Sequence, residues 1–404
     1  MHIDLRTLVG VVTNSAQPLV RHNFLTVVDH PIHDATVGAT VAMDEPGLQL
    51  QQNLRDSTGR ALACRRPILS HLNADTTWLL QLPYPPRAIQ PKGRSRFHIL
   101  IDPWLEGAQV DVASWFSKQW HSTKSSVTTI AQLNEHLKEI ESIVEEQTSN
   151  YRITKWGPHE DNFAQSFIDA VIISHEFTDH CNKDTLLQIH PDTPVFATKV
   201  AANSIRSWEH FKSVQDTPLF AEKNLDWTAT SLNPLPKWLG ISRLVTKTDA
   251  LYFHSAILIT FNLGIGDCME NQTEGGSSEA IVYTPHGIHA QDLRHLLSAN
   301  PPIQTLALIH GLHDVTISGV KKLNLGAHNG LRAQRTCKAK YWVSTHDEVK
   351  EAQGLIAPLL KRKVITHQEA VEHEKGQSSD EDLLADVKQL KYAELSNGES
   401  LLLI

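Results

Sequence analysis

Three short β-rich runs, VIISH ending at His175, IVYTPH ending at His286 and YWVSTH ending at His346, each deliver a histidine where the run gives way to polar or turn residues. This pattern constrains the fold more than any other feature of the chain. In layered α/β proteins, ligands gather outside the carboxyl ends of strands, where loops converge without burying unpaired backbone. Histidines far apart in sequence can therefore meet at one point, and the fold class expected is α/β.

The surrounding pattern agrees with that class. TTWLLQL at 76–82 and FHILIDP at 97–103, separated by a Pro-rich basic loop, predict an antiparallel strand pair. Ile130, Leu133, Leu137, Ile140 and Ile143 recur at helical spacing with charges on the other face, which predicts a core-packing helix. After it, strand AVIISH, helical DTLLQIH, strand PVFAT and helical VAANSIRSWEHF alternate. The second half repeats the style, with strands expected in LVTKTDALYFH, SAILITFNLG, AIVYTPHG, TLALIHGLH and KYWVSTH, and helices in HAQDLRHLLSA and HNGLRAQRT. HEKGQSSDEDL reads as a disordered loop. Asn397-Gly398, between the apolar runs of YAELSNGESLLLI, predicts a hairpin. Residues 1–66 show no sustained period and are read as an N-terminal extension, with 67–404 as the folded domain.

Composition narrows the chemistry. Apolar residues make up 41% and charged residues 20% of 404, enough for a sizeable core. The formal net charge of −8 argues against a nucleic-acid surface, which needs a basic face to displace counterions. Twenty-three histidines tilt the search toward metal chemistry, since imidazole is the commonest protein metal ligand. Cys64, Cys181, Cys268 and Cys337 lie far apart without a CxxC pair, so free thiols in a reducing compartment are expected. No leader pattern and no apolar stretch of membrane-spanning length is evident, and a cytoplasmic location is the expectation.

In HEFTDH, a tight turn can aim His175, Asp179 and His180 inward, a set that suits zinc or iron. At this point the chain resembles the metallo-β-lactamase superfamily, whose signature is HxHxDH after a strand followed by scattered His and Asp ligands. The branch it looks most like includes ascorbate-6-phosphate lactonases and N-acyl phosphatidylethanolamine phospholipases D. The resemblance runs from about Leu72 to the end: LNADTTWLLQL with FHILIDPWL is similar to the opening hairpin, VIISHEFTDH to the signature strand and YWVSTHDE to the final His-bearing strand. It implies a four-layer αββα sandwich and a metal-dependent hydrolase, with metal-activated water attacking an ester, lactone or phosphodiester of a small molecule or lipid.

Carried over residue by residue, His175, Asp179 and His180 match the first His, the Asp and the last His of the signature, and His346 matches the last family His. Phe177 replaces a ligand of the first of two metals, and the next family His, expected near LPKWLGISR, has no counterpart. His286 stands where the family has a bridging Asp. The resemblance thus implies a single divalent metal, zinc with iron or manganese as alternatives, among His175, Asp179, His180, His286 and His346. Asp179 and His175 are the catalytic candidates, His175 as proton carrier if unligated. The departures also fit a catalytically degenerate relative acting as a binding or interaction module.

Three further residues are pocket candidates. His254 in ALYFHSAIL precedes a strand, where a packed, hydrogen-bonded role is the better reading, and His313 in LIHGLHDV follows one, where Asp314 could orient it but a structural loop role stands at least as well. Asp75 in NADTT reads first as a turn or cap residue. Trp104, Trp115 and Trp120 read as core, and Cys181 as a small buried thiol.

Overall fold

A computed structural model describes residues 45–91, 93–149, 166–246, 253–264, 278–377 and 390–404. The first sheet holds β1 (Ile68–His71), β2 (Trp78–Pro83), β3 (Arg96–Ile101), β4 (Ala170–Ile173), β5 (Val195–Ala197) and β6 (Val214–Asp216). The second holds β7 (Leu239–Val245), β8 (Ser255–Phe261), β9 (Ser278–Thr284), β10 (Ile303–His310), β11 (Tyr341–Val343) and β12 (Lys391–Ala393). A last strand, β13 (Ser400–Leu402), returns to the first sheet, giving the orders β13-β1-β2-β3-β4-β5-β6 and β12-β11-β10-β9-β8-β7. In each sheet an antiparallel part continues into parallel strands: β3 to β6 in the first, β9 to β12 in the second.

Two sheets with apolar inner faces must pack on each other, and here they do. Leu69, Trp78, Leu80, Ile99, Ile101 and Ile172 of the first share one buried cluster with Ile241, Ile257, Ile259, Ile281, Tyr283 and Ile309 of the second. Strands β2, β3 and β4 are buried at every position, as expected of strands covered on both faces. The outer face of the first sheet is covered by α1 (Glu45–Cys64), α2 (Ile130–Ser149), α3 (Lys183–Leu186) and α4 (Lys199–Arg206) through Leu50, Leu133, Leu137, Leu186, Ala201 and Ile205. That of the second is covered by the 3-10 helix Ala290–Ser298 and α5 (Ala327–Cys337), against which α6 (His367–Gln377) packs. The result is the αββα sandwich expected from the sequence.

The helix expected from the Ile130–Ile143 spacing is α2, which buries Ile130, Leu133, Leu137 and Ile140, with Val144 in place of Ile143 completing the stripe. Four expectations are refined or corrected. Residues 45–64 of the aperiodic N-terminal stretch form a helix tied to the last strand turn, where Asn53 Nδ2 donates to Gly398 O at 3.1 Å. HAQDLRHLLSA is a 3-10 helix, burying Leu293 and Leu296, and of HEKGQSSDEDL the first five residues end α6 while the rest lie outside the described residues. The C-terminal segment is not a hairpin: β12 runs parallel to β11 in one sheet and β13 antiparallel to β1 in the other. Both apolar runs find an open sheet edge, so the Asn397-Gly398 turn bridges the sandwich instead of closing a ribbon. Asn397 holds it by accepting from Ser126 N at 2.8 Å and donating to Lys124 O at 2.6 Å.

Two small sheets flank the carboxyl-end side of the strands. One joins Gln109–Asp111, Ser117–Trp120 and Glu351–Gln353, the other Asp314–Ile317, Lys321–Asn324 and Leu360–Lys363. Cys181 and Cys337 are buried and free. Among the described residues no helix is long and apolar enough to cross a membrane.

Candidate metal centre

The strands of both sheets deliver polar residues to one place. β3 ends at Ile101 and Asp102 follows; β4 ends at Ile173 and the turn behind it carries His175, Asp179 and His180. β9 ends before Pro285-His286, and β11 before His346. The rings of His180, His286 and His346 surround a common point, with centroids 4.9, 5.2 and 5.0 Å apart and interplanar angles of 65°, 62° and 88°. Their ligand atoms lie within 4.8 Å of one another.

Each ring is oriented from behind by an oxygen that accepts from its Nδ1–H: Asp102 Oδ2 for His180 at 2.8 Å, Asn324 Oδ1 for His286 at 3.0 Å and Asp75 Oδ1 for His346 at 2.9 Å. A proton fixed on Nδ1 leaves the lone pair on Nε2, which is how ligating histidines are held in metal sites. The Nε2 atoms of His180 and His286 are 3.0 Å apart. Asp179 Oδ1 is buried without a hydrogen-bond partner and lies 3.6 Å from His180 Nε2. Two imidazole lone pairs and a carboxylate oxygen at such range need a proton or a cation among them. The donor set of three imidazoles and one carboxylate fits a divalent cation such as zinc.

The electrostatics say where a proton goes when no cation is bound. Burial alone pushes His180 down, but the carboxylates of Asp179 and Asp102 outweigh it and raise it to about 9. His286 is held well below 6.5 by burial and by the charges of His180 and His346, and His346 is lowered by burial. His180 therefore carries the proton and donates it to His286. Asp179 is ionised despite burial, because Lys350 and His180 hold its carboxyl far below the usual range.

Asp102 is the hub behind the site. It accepts from Ser174 N at 2.7 Å, from Ser174 Oγ, from His180 Nδ1 and from Tyr283 OH at 2.8 Å. Its φ of 44° and that of His346 at 58° are left-handed, a conformation that non-glycine residues hold only when surroundings fix it and that clusters at functional sites. Gly287 is left-handed as well, at φ +80°, and a Cβ there would sit 2.7 Å from Leu325 Cβ and 3.0 Å from His310 Nε2. Gly287→Ala is expected to cost about 2–3 kcal/mol of unfolding free energy from backbone strain and overpacking. Denaturant unfolding checks this, and a loss below about 1 kcal/mol contradicts it.

His175 stands apart from the three-ring group. Its ring is stacked between Phe177, at 4.3 Å and 18°, and Phe253, at 5.4 Å and 22°. Nδ1 accepts from Phe177 N at 3.4 Å, so the proton is on Nε2, which is buried and has no partner. Burial, then the charge on His180, holds this imidazole neutral, with its pKa well below 6.5. His175 and His286, with Ser174, Phe253, Ser255 and Pro285, line a narrow crevice beside the three-ring group. Phe177 thus takes up ring stacking at the position where the signature that HEFTDH resembles has a ligand.

Of the pocket candidates, Asp75 is in the site. Asn73 Oδ1 makes the turn by accepting from Asp75 N at 2.9 Å and Thr77 N at 3.0 Å, which frees the Asp75 carboxylate to hold His346 and, 2.7 Å away, Lys350 Nζ. The other two face elsewhere. His254 Nδ1 meets the backbone carbonyl of His286 at 3.3 Å, and His313 Nδ1 accepts from Arg362 Nη1 at 2.8 Å. Asp314 accepts from Gly326 N at 2.8 Å and pairs with Lys322, so it orients no histidine. Trp104 is buried against His121, while Trp115 is 62% exposed and belongs to no core.

Sequence reasoning missed Asp102, Asn324 and Lys350. Asp102 follows a β-rich run as the histidines do, so the strand-end rule applied to carboxylates finds it. Lys350 and Asn324 come from loops and small sheets with no such signal.

No family model matches the chain, and no curated protein matches it. Among solved structures, the chain is similar to a "possible metal-dependent hydrolase" from Veillonella parvula, at 12% identity over 84% of this chain and 100% of that one, with a TM-score of 0.47. It is also similar to an isothiocyanate hydrolase from Delia radicum gut bacteria, at 13% identity over 83% and 99%, with a TM-score of 0.45. A third is the metallo-β-lactamase fold protein YhfI from Bacillus subtilis, at 11% identity over 83% and 99%, with a TM-score of 0.38.

Proposed function

We propose that this chain is a metal-dependent hydrolase of the metallo-β-lactamase superfamily that works with one divalent cation, zinc by the chemistry of the donors. His180, His286 and His346 through Nε2, and Asp179 through Oδ1, would hold it. The observation that carries the reading is the convergence of three imidazoles, each with its Nδ1–H engaged from behind, on a buried carboxylate oxygen without a partner. A divalent cation in such a place supplies Lewis acidity toward an acyl or phosphoryl oxygen and lowers the pKa of water.

The chain's own residues do the rest. Asp102, Asn324 and Asp75 keep the three rings in one tautomer and orientation. Lys350 neutralises the outer oxygen of Asp179. The neutral His175 offers its Nε2–H to an oxygen of a substrate bound against this crevice, whose Phe253 and Pro285 suit an apolar group. The substrate class is a small molecule or lipid carrying an ester, lactone or phosphodiester.

Cation uptake must displace the proton that His180 keeps up to about pH 9, so affinity is expected to rise about tenfold per pH unit from neutrality toward 9 and then level off. Titration calorimetry in buffers of different ionisation enthalpy should count about one proton released per cation at pH 7.5. None released contradicts the ligand set. A panel of the three substrate classes, assayed with and without chelator, then tests the activity. One equivalent of cation with no hydrolysis across the panel moves the chain to the binding-module reading, which the stacking of Phe177 and Phe253 on His175 favours.

A further inference from the structure

We propose that the Lys350 ammonium is a built-in cation that fills a second cation position, made by the Oδ2 atoms of Asp75 and Asp179, so that the centre takes one exchangeable metal instead of two. This rests on the one-cation reading above and concerns a different set of atoms. Asp75, Asp179 and His346 bring ligand atoms within 4.8 Å of one another, and because His346 turns Nε2 to the other two histidines and gives its Nδ1–H to Asp75, the second position is framed by the two carboxylates. Lys350 Nζ lies in that group, 2.7 Å from Asp75 Oδ2 and 2.8 Å from Asp179 Oδ2.

The lysine is fixed there. Its side chain is 5% exposed, its Nζ lies 5.0 Å from the centre of the Trp104 ring, and Gln109 Oε1 is 3.4 Å away. The strand Glu351–Gln353, next in the chain, pairs with Ser117–Trp120 and anchors the backbone behind it. A buried ammonium is tolerated only with paired anions, and two buried carboxylates this close need a cation between them. Each carboxylate therefore divides its oxygens. Asp75 gives Oδ1 to His346 and Oδ2 to the lysine, while Asp179 gives Oδ2 to the lysine and keeps Oδ1 for the three-histidine side. A loss of the charge should let a small divalent ion take its place, because the anionic partners remain.

The test counts cations in the purified full chain by equilibrium dialysis against zinc and elemental analysis, comparing wild type with Lys350→Ala and Lys350→Arg. Lys350→Ala is expected to bind one equivalent more than wild type and to melt at a temperature that rises as that equivalent is added. Lys350→Arg, which keeps a cation in place, is expected to match wild type. Equal counts in Lys350→Ala and wild type overturn the proposal, as does a Lys350→Ala chain that no zinc concentration restores to a folded state while Lys350→Arg folds. An alanine variant that folds only with zinc supports it. The increment is read whatever the wild-type count: a wild type that binds none defeats the hydrolase reading, and the difference between variants still decides the role of Lys350.

Discussion

Asp179→Ala is expected to lose its tightly bound cation and to hydrolyse substrate about a thousandfold more slowly. Lewis-acid stabilisation of a transition state is worth several kcal/mol, and about 4 kcal/mol is three decades in rate at about 1.4 kcal/mol each. The substitution removes the carboxylate oxygen that has no other partner and strips Lys350 of one of its two anions. Steady-state kinetics with elemental analysis of the same preparation reads both effects. His313→Ala is the matched control, because that ring is engaged by Arg362 and should leave cation content unchanged. Full occupancy and wild-type rate in Asp179→Ala would remove that residue from the ligand set.

The largest loss of stability is expected at Asp102. Asp102→Ala leaves Ser174 N, Ser174 Oγ, His180 Nδ1 and Tyr283 OH facing a void at a fully buried position. Breaking a buried charge-assisted network typically costs about 3–5 kcal/mol. Cation affinity should fall as well, by about 10–100-fold, because His180 loses the acceptor that fixes its tautomer. Urea unfolding of the cation-free protein and competition with a chelator read the two separately. A stability change below about 1 kcal/mol means that the four donors find other partners and that Asp102 is no hub.

The layers of the fold were legible in the sequence because they rest on local signals. Val and Ile runs give strands, and the stripe from Ile130 to Ile140 gives α2, since each element must bury one face whatever its neighbours do. The C-terminal turn shows the limit. Asn397-Gly398 is a turn, but whether its flanks pair with each other depends on which sheet edges are open, a property of the whole sandwich. The N-terminal helix over 45–64 was hard to read for a different reason: Leu50 and Leu54 stand one turn apart, but a repeat of two in a Gln- and Arg-rich stretch is too short to mark a face.

At the site, the strand-end rule named His175, His286 and His346, and the turn after His175 brought Asp179 and His180; the structure groups His180, not His175, with His286 and His346. It placed His175 close by but could not foresee that Phe177 and Phe253 would enclose that ring. The residues that orient the histidines were the least visible. Asp75 looks like a turn residue, and a turn it is, but Asn73 makes the turn and the Asp75 carboxylate is left for His346 and Lys350. Roles that depend on which oxygen of a carboxylate faces which partner exist only in three dimensions.

The most direct measurement is anomalous diffraction at the zinc edge from crystals of the full chain grown with zinc. A single peak is predicted about 2.0–2.2 Å from the Nε2 atoms of His180, His286 and His346 and from Asp179 Oδ1. A peak elsewhere, or these three rings in place with no zinc among them, contradicts a metal-dependent hydrolase.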